Sequence, residues 1–131
     1  MKTKINDISH NLILEPPFID NRGTIQNILN IPINSVALIT SNAGAIRSNH
    51  WHKENDHYLY IISGSVEYYE RDLNEDGRNI KPLIFKSGDI FYTPPLKVHK
   101  VIFLEHTIML SLGKNIKTHQ AHEDDLVREE F

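Results

Sequence analysis

His50 and His52 are separated by one residue, and His57 follows five residues later. In an extended strand, residues two apart share a face, so His50 and His52 point the same way. A strand beginning near Asp56 would return His57 to face them across the ladder. His99 lies well downstream and needs a later strand brought alongside the first pair. Imidazoles gathered in this way can hold a divalent first-row ion such as Zn, Fe, Ni, Mn or Cu. They can equally work without metal, moving protons as general acids and bases. The chain has no cysteine, so any metal must be held by His, carboxylate or water. Eight histidines in 131 residues is a high count; the other four, His10, His106, His119 and His122, are scattered and read as exposed.

Short β-rich runs are the elements that must position these side chains. They cover Thr24 to Ile31, Ser35 to Ser41, Ile46 to Trp51 and His57 to Ser63, then Ser65 to Arg71, Ile80 to Phe85, Ile90 to Thr93, Lys100 to Leu104 and Thr107 to Leu112. Turn signals separate them, among them Asn21-Arg22-Gly23, Asn42-Ala43-Gly44, Ser63-Gly64, Ser87-Gly88-Asp89 and Pro94-Pro95. No long stretch has the period of a surface helix. Many short strands at regular spacing predict an all-β sandwich or barrel. Trp51, between two inward histidines, is expected to face outward into a sheet or dimer interface. The acidic run from Glu123 to Glu130 reads as a solvated terminal segment.

Composition narrows the partners. Hydrophobic residues make up 40% and charged residues 24%, which is the balance of a globular protein able to bury its own core. The net charge of −3 argues against nucleic acid, since phosphate binding needs a basic face. No secretory signal and no apolar run of membrane-spanning length are seen, so a cytoplasmic location and no membrane partner are expected.

Two spaced motifs resemble the cupin superfamily. Gly44, five residues, His50-Trp51-His52, four residues, His57, six residues and Gly64 match the first cupin motif at every spacing. His57 stands where that motif has Glu. Gly88, Pro94 and His99 match the second motif, with Leu96 and Phe103 in its Gly and Asn slots. The resemblance implies an all-β double-stranded β-helix, a jelly-roll barrel, as one domain over residues 1–131 with its motif core at 44–103. It also implies that His50, His52, His57 and His99 are the metal-ligand positions.

The flanks resemble a narrower group. Asp20-Asn21-Arg22-Gly23 is similar to the opening of the sugar-nucleotide cupins, which include dTDP-4-dehydrorhamnose 3,5-epimerases and dTDP-sugar 3,4-ketoisomerases. Arg47-Ser48-Asn49-His50 is similar to their Arg-Gly-x-His stretch, with Ser48 in the Gly slot. This resemblance implies a His base, His50 or His52, with an acidic partner, Asp56 or Asp20, and a Tyr acid. Alternation puts Tyr58 and Tyr60 on the face opposite His57, which leaves Tyr68 and Tyr92 as candidates for the acid. Arg22 and Arg47 are the candidates for a diphosphate, because guanidinium matches phosphate geometry in a bidentate way. Arg47 precedes His50 by three residues, so strict alternation places it on the other face, reaching phosphate only by bending over the rim.

The expected function is an epimerase or keto-isomerase on a nucleotide sugar of surface-polysaccharide biosynthesis, using proton transfer next to a carbonyl, with or without a divalent metal ion. A metal-dependent oxygenase or hydrolase on a small molecule, or a non-enzymatic ligand-binding cupin, are the alternatives. A homodimer is expected, with the strand Thr24 to Ile31 exchanging or pairing across the two-fold.

Overall fold

A computed structural model describes residues 15–115 and 118–131. Its strands are β1 (Phe18–Asp20), β2 (Gly23–Ile25), β3 (Ser35–Ser41), β4 (Ile46–His52), β5 (His57–Ser63), β6 (Ser65–Asp72), β7 (Leu83–Lys86), β8 (Ile90–Thr93), β9 (Lys97–Phe103), β10 (Thr107–Gly113) and β11 (Leu126–Arg128). One short helix, α1 (His119–Asp125), precedes β11. A small hairpin, β1-β2, stands apart from two larger antiparallel sheets ordered β3-β10-β5-β8 and β11-β4-β9-β6-β7. The two sheets face each other as a jelly-roll barrel, the all-β double-stranded β-helix that the motif resemblance implies.

Alternation along β5, β6, β8 and β9 decides where the core sits. Leu59, Ile61, Val66, Tyr68, Phe85, Phe91, Val101, Phe103 and Met109 fill one end of the barrel between the sheets. The rings of Phe85 and Phe91 stack there at 4.1 Å. Beside this cluster lies the cavity described below, which Leu59, Val101 and Met109 of the core also line. A tight reversal joins β5 to β6 at Gly64, which has φ +102°. A Cβ at this position would sit 2.7 Å from the carbonyl oxygen of His106, so glycine is required both by its backbone angle and by the close approach.

Three expectations are corrected here. The run Thr24 to Ile31 is not one strand: β2 ends at Ile25, and Leu29, Ile31 and Ile33 instead pack on the outer face of the four-stranded sheet against Tyr58, Ile90, Tyr92 and Leu112. Asn27, Asn30 and Pro32 break the ladder while leaving the apolar side chains free to dock. The run Ile80 to Phe85 is a strand only from Leu83, where β7 begins, and a 3-10 turn, Gly77–Asn79, precedes it. The acidic tail is not a solvated end. Thr118 caps α1 by accepting from the Ala121 N–H, and β11 then pairs with β4, Leu126 opposite His52 and Arg128 opposite His50.

Candidate functional site

A cavity of about 890 Å³ opens between the sheets, within the range of small-molecule sites. His50, His52, His57 and His99 all line it. His50 sits opposite His99 in the β4-β9 ladder, and His57 sits opposite Thr93 in the β5-β8 ladder. The ring centroids of His50 lie 4.8 Å from those of both His52 and His99. His52 and His57 are 5.0 Å apart across the barrel. Ligand atoms of His50, His52 and His99 fall within 4.8 Å of one another.

A β-bulge shapes the β4 side of the site. Ser48 pairs with Lys100 and His50 with His99, so two residues on β4 advance against one on β9. Ser48 and Asn49 take positive φ values of 74° and 54° to make this turn. The bulge resets the alternation, and Arg47 therefore faces the cavity along with His50. The expectation that Arg47 points to the opposite face is overturned for this reason. Its Nε donates to Ser41 Oγ at 2.8 Å and a terminal nitrogen donates to the Thr40 carbonyl at 3.0 Å. The guanidinium thus bridges β4 to β3, one sheet to the other, at the open end.

The C-terminal segment completes the wall. His122, from α1, and Arg128, from β11, both line the cavity, which corrects the reading of His122 as scattered and exposed. Asp125 places Oδ2 3.1 Å from His52 Nδ1. The same carboxylate accepts the backbone N–H groups of Glu54 and Asn55, each at 3.1 Å. Sequence reasoning missed His122, Asp125 and Arg128. The one local signal was the i, i+3 spacing of His122 and Asp125, which places both on one face of a helix.

Burial, above all, keeps His50, His52 and His99 neutral. Burial pushes His50 down to about 3, with His99 and His122 adding to the effect. His52 falls to about 4 through burial and then His50, against the opposing pull of Asp125. His99 falls to about 4 through burial and then His52. Burial works against ionisation of Asp125, but the donors from Asn55, Glu54 and His52 outweigh it and hold the carboxyl below its ordinary value. An ionised Asp125 holds the proton of neutral His52 on Nδ1, leaving Nε2 with its lone pair for chemistry. His99 Nδ1 lies 3.3 Å from the Lys97 carbonyl, which selects the same tautomer.

Several sequence candidates lie elsewhere. Tyr92 pairs with Tyr58 across the β5-β8 ladder and faces outward into the second apolar cluster. Alternation put Tyr58 on that face, and Tyr92, directly opposite it, must follow. The Tyr92 hydroxyl donates to Asp56 Oδ2 at 2.5 Å, and Asp56 also has Lys114 at 3.6 Å. Asp56 is therefore no partner for His50 or His52. Tyr68 is buried in the apolar core, and its hydroxyl donates to Glu70 at 2.9 Å. Its ring lies 6.2 Å from that of His99, behind the histidines and off the cavity wall, so among the described residues no tyrosine lines the cavity. Arg22 is 82% exposed on the β1-β2 turn and ion-pairs with Asp20 at 2.5 Å, so it is not part of the site. Arg128 lines the cavity as Arg47 does, with its guanidinium ion-paired to Glu123 at 2.7 Å.

The cupin domain family (Cupin_2) matches residues 37–113, and the chain belongs to it. A solved structure of the sugar 3,4-ketoisomerase QdtA from Thermoanaerobacterium thermosaccharolyticum, in complex with TDP, is similar at TM-score 0.69 and 20% identity, covering 87% of this chain and 83% of that one. The dTDP-4-dehydrorhamnose 3,5-epimerase from Sulfolobus tokodaii is similar at TM-score 0.64 and 16% identity, covering 79% of this chain and 69% of that one. The capsular polysaccharide assembling protein CapF from Staphylococcus aureus is similar at TM-score 0.65 and 17% identity, covering 88% of this chain. This chain spans about a third of CapF, 34% of its length. At these identities the likeness is one of fold. A search of curated protein sequences finds no match. Among the described residues, no helix is long and apolar enough to cross a membrane.

Proposed function

We propose that this cupin is an isomerase or epimerase acting on a nucleotide-linked keto sugar, with His52 as the base that moves a proton next to the carbonyl. The observation that carries this reading is the contact between His52 Nδ1 and Asp125 Oδ2 at 3.1 Å inside the cavity. A base so oriented takes the proton from the carbon beside the ketone, leaving an enediolate, and a proton is then returned to the same or the adjacent carbon. A positioned imidazole typically contributes about 10²–10⁴-fold to such a step. His50, buried beside it and with no protein partner for Nδ1, is placed to take part in the proton return. Arg47 and Arg128 line the cavity and carry charge suited to a diphosphate, which would compete with Glu123 for Arg128. The nucleotide-sugar chemistry of the ketoisomerase and epimerase folds supports the choice of substrate class.

A metal-assisted alternative, in which His52 is a ligand rather than the base, is favoured by the unpartnered His50 Nδ1. A buried imidazole nitrogen without a donor or acceptor suits a ligand, and His50, His52 and His99 would hold a first-row divalent ion. When bound, such an ion supplies Lewis-acid stabilisation of the developing oxyanion.

The test is solvent exchange. Purified protein is incubated in D2O with dTDP-, UDP- and GDP-linked 4-keto-6-deoxy sugars, and deuterium next to the ketone is followed by NMR. Exchange that persists after chelation supports the His52 base; exchange lost on chelation and restored by metal supports the metal-assisted form. Absence of exchange with every substrate, together with no binding of dTDP, UDP or GDP, rejects the sugar-nucleotide reading.

A further inference from the structure

We propose that His52, His57 and His122 form a site for a divalent cation of the zinc or nickel class, whose occupancy pins the C-terminal segment across the mouth of the barrel. The three side chains come from different elements. His52 is on β4 of the five-stranded sheet, His57 is on β5 of the four-stranded sheet, and His122 is on α1. Their ring centroids are 5.0, 5.2 and 6.0 Å apart, and one ligand atom of each lies within 4.8 Å of those of the other two. Zinc–imidazole bonds of about 2.0–2.1 Å in a tetrahedron bring the ligating nitrogens about 3.4 Å apart. The set therefore needs only a modest inward adjustment of side chains.

Accessibility favours this outer set over the inner set of His50, His52 and His99, while two further observations concern the shared His52. The two sets share His52, whose Nδ1 faces Asp125, so the single remaining nitrogen, Nε2, serves one ion at a time. His57 and His122 are half-buried whereas His50, His52 and His99 are buried, so a hydrated ion meets the outer pair first and sheds its water in steps. Asp125 on the far nitrogen of His52 is the carboxylate partner that metal-ligating histidines usually have, and it both orients the ring and raises its basicity.

The consequence is mechanical. Asp125 already ties the β4-β5 loop to the end of α1 through the Glu54 and Asn55 amides. An ion on His57 and His122 adds a direct link from the tail to the opposite sheet. Binding free energy available only to the docked tail then stabilises that state. An ion there also occupies the lone pair that the proton transfer uses, so the ion-loaded and catalytic forms are alternatives. That last consequence, unlike the site itself, rests on the isomerase reading.

The test reads the ion and the tail, not turnover. Chelator-stripped, untagged protein is titrated with Co(II), following its visible absorption, and with Zn(II) by calorimetry. Hydrogen exchange of residues 118–128 is measured with and without ion. Wild type is expected to bind one equivalent and to slow exchange of the tail at least tenfold. His122→Ala and His57→Ala should each weaken binding at least tenfold, and His122→Ala should abolish the tail protection. His50→Ala, which removes an inner-set residue only, should change affinity less than threefold and keep the protection. Loss of binding in His50→Ala with retention in His122→Ala would place the ion on the inner set and overturn the proposal. So would the absence of binding, or binding that leaves tail exchange unchanged. Circular dichroism of each variant separates ligand loss from unfolding.

Discussion

Arg47 and His50 project from the same face of one strand although they are three residues apart. Their partners on β9 are Val101 and His99, two residues apart and both buried inside the barrel. The extra residue at Ser48-Asn49 is what brings the odd spacing into phase. A guanidinium at the rim and an imidazole on the floor thereby share one cavity.

Binding of a nucleotide diphosphate should depend on Arg47. Arg47→Ala is expected to weaken dTDP binding by about 1.5–3 kcal/mol, the range for a hydrogen bond to a charged group. Arg47→Lys should recover only part, since a point charge lacks the fork. Arg128→Ala should show a comparable loss and Arg22→Ala none, because Arg22 sits on the separate hairpin. Calorimetric titration of wild type and the four variants decides the matter, and equal affinities throughout would remove both cavity arginines from recognition.

Asp125→Asn should impair chemistry more than binding. The amide keeps the shape but frees His52 to hold its proton on the nitrogen facing the substrate. The exchange rate is expected to fall about 10²-fold or more, the lower end of what general-base catalysis contributes, with KM changed much less. An unchanged rate would show that His52 works without Asp125.

Two residues that stand in glycine slots carry left-handed backbone: Ser48 at φ 74° and Leu96 at φ 62°. Such angles cost a non-glycine residue roughly 1–2 kcal/mol, partly offset by the greater entropy glycine loses on folding. Leu96→Gly is therefore expected to stabilise the protein by up to about 1 kcal/mol, Leu96 being exposed with little packing to lose. Ser48→Gly should act in the same direction. Denaturant unfolding measures both, and a clear loss of stability in Leu96→Gly would contradict the strain.

Acid should unfold this protein partly through its buried imidazoles. His50, His52 and His99 sit at about 3, 4 and 4 in the folded state, against about 6.5 in an unfolded chain. Above pH 6.5 neither state is protonated and the folded state is at full strength. Below it the unfolded chain takes up protons that the folded one refuses, so stability falls progressively towards pH 4. The melting temperature is expected to drop over this window, and more shallowly in His50→Asn. Parallel curves for the two proteins would mean that His50 does not contribute.

A dimer, if it forms, should use β3. Among the described residues this strand is an edge of its sheet, paired with β10, and exposes Val36 and Leu38. Unpaired strand edges invite association. Leu38→Asp should shift a dimer to monomer in light scattering, while a wild-type monomer across a wide concentration range would end the idea.

The strands, the facing of His50, His52 and His57, and the outward turn of Tyr58 were legible in the chain, because each depends on a period of two and on local turn residues. The glycines of the motifs were legible for the same reason: Gly64 and Gly88 sit at positive φ. The fate of Arg47 was not, because a bulge adds a residue on one strand only and shows itself against a partner. Tyr92 went astray because its face follows from the register with Tyr58, a pairing between residues 34 positions apart. The tail was the largest gap. Glu123 to Glu130 carries the composition of a solvated end, yet β11 closes the sheet beside β4 and delivers His122, Asp125 and Arg128 to the cavity. Periodicity together with the two cupin motifs therefore determined the barrel, and periodicity alone the shared face of His50 and His52. The acid behind His52, the second arginine and the fifth imidazole were decided by tertiary structure, since long-range pairing puts distant residues in contact without leaving a local trace in the residues that meet.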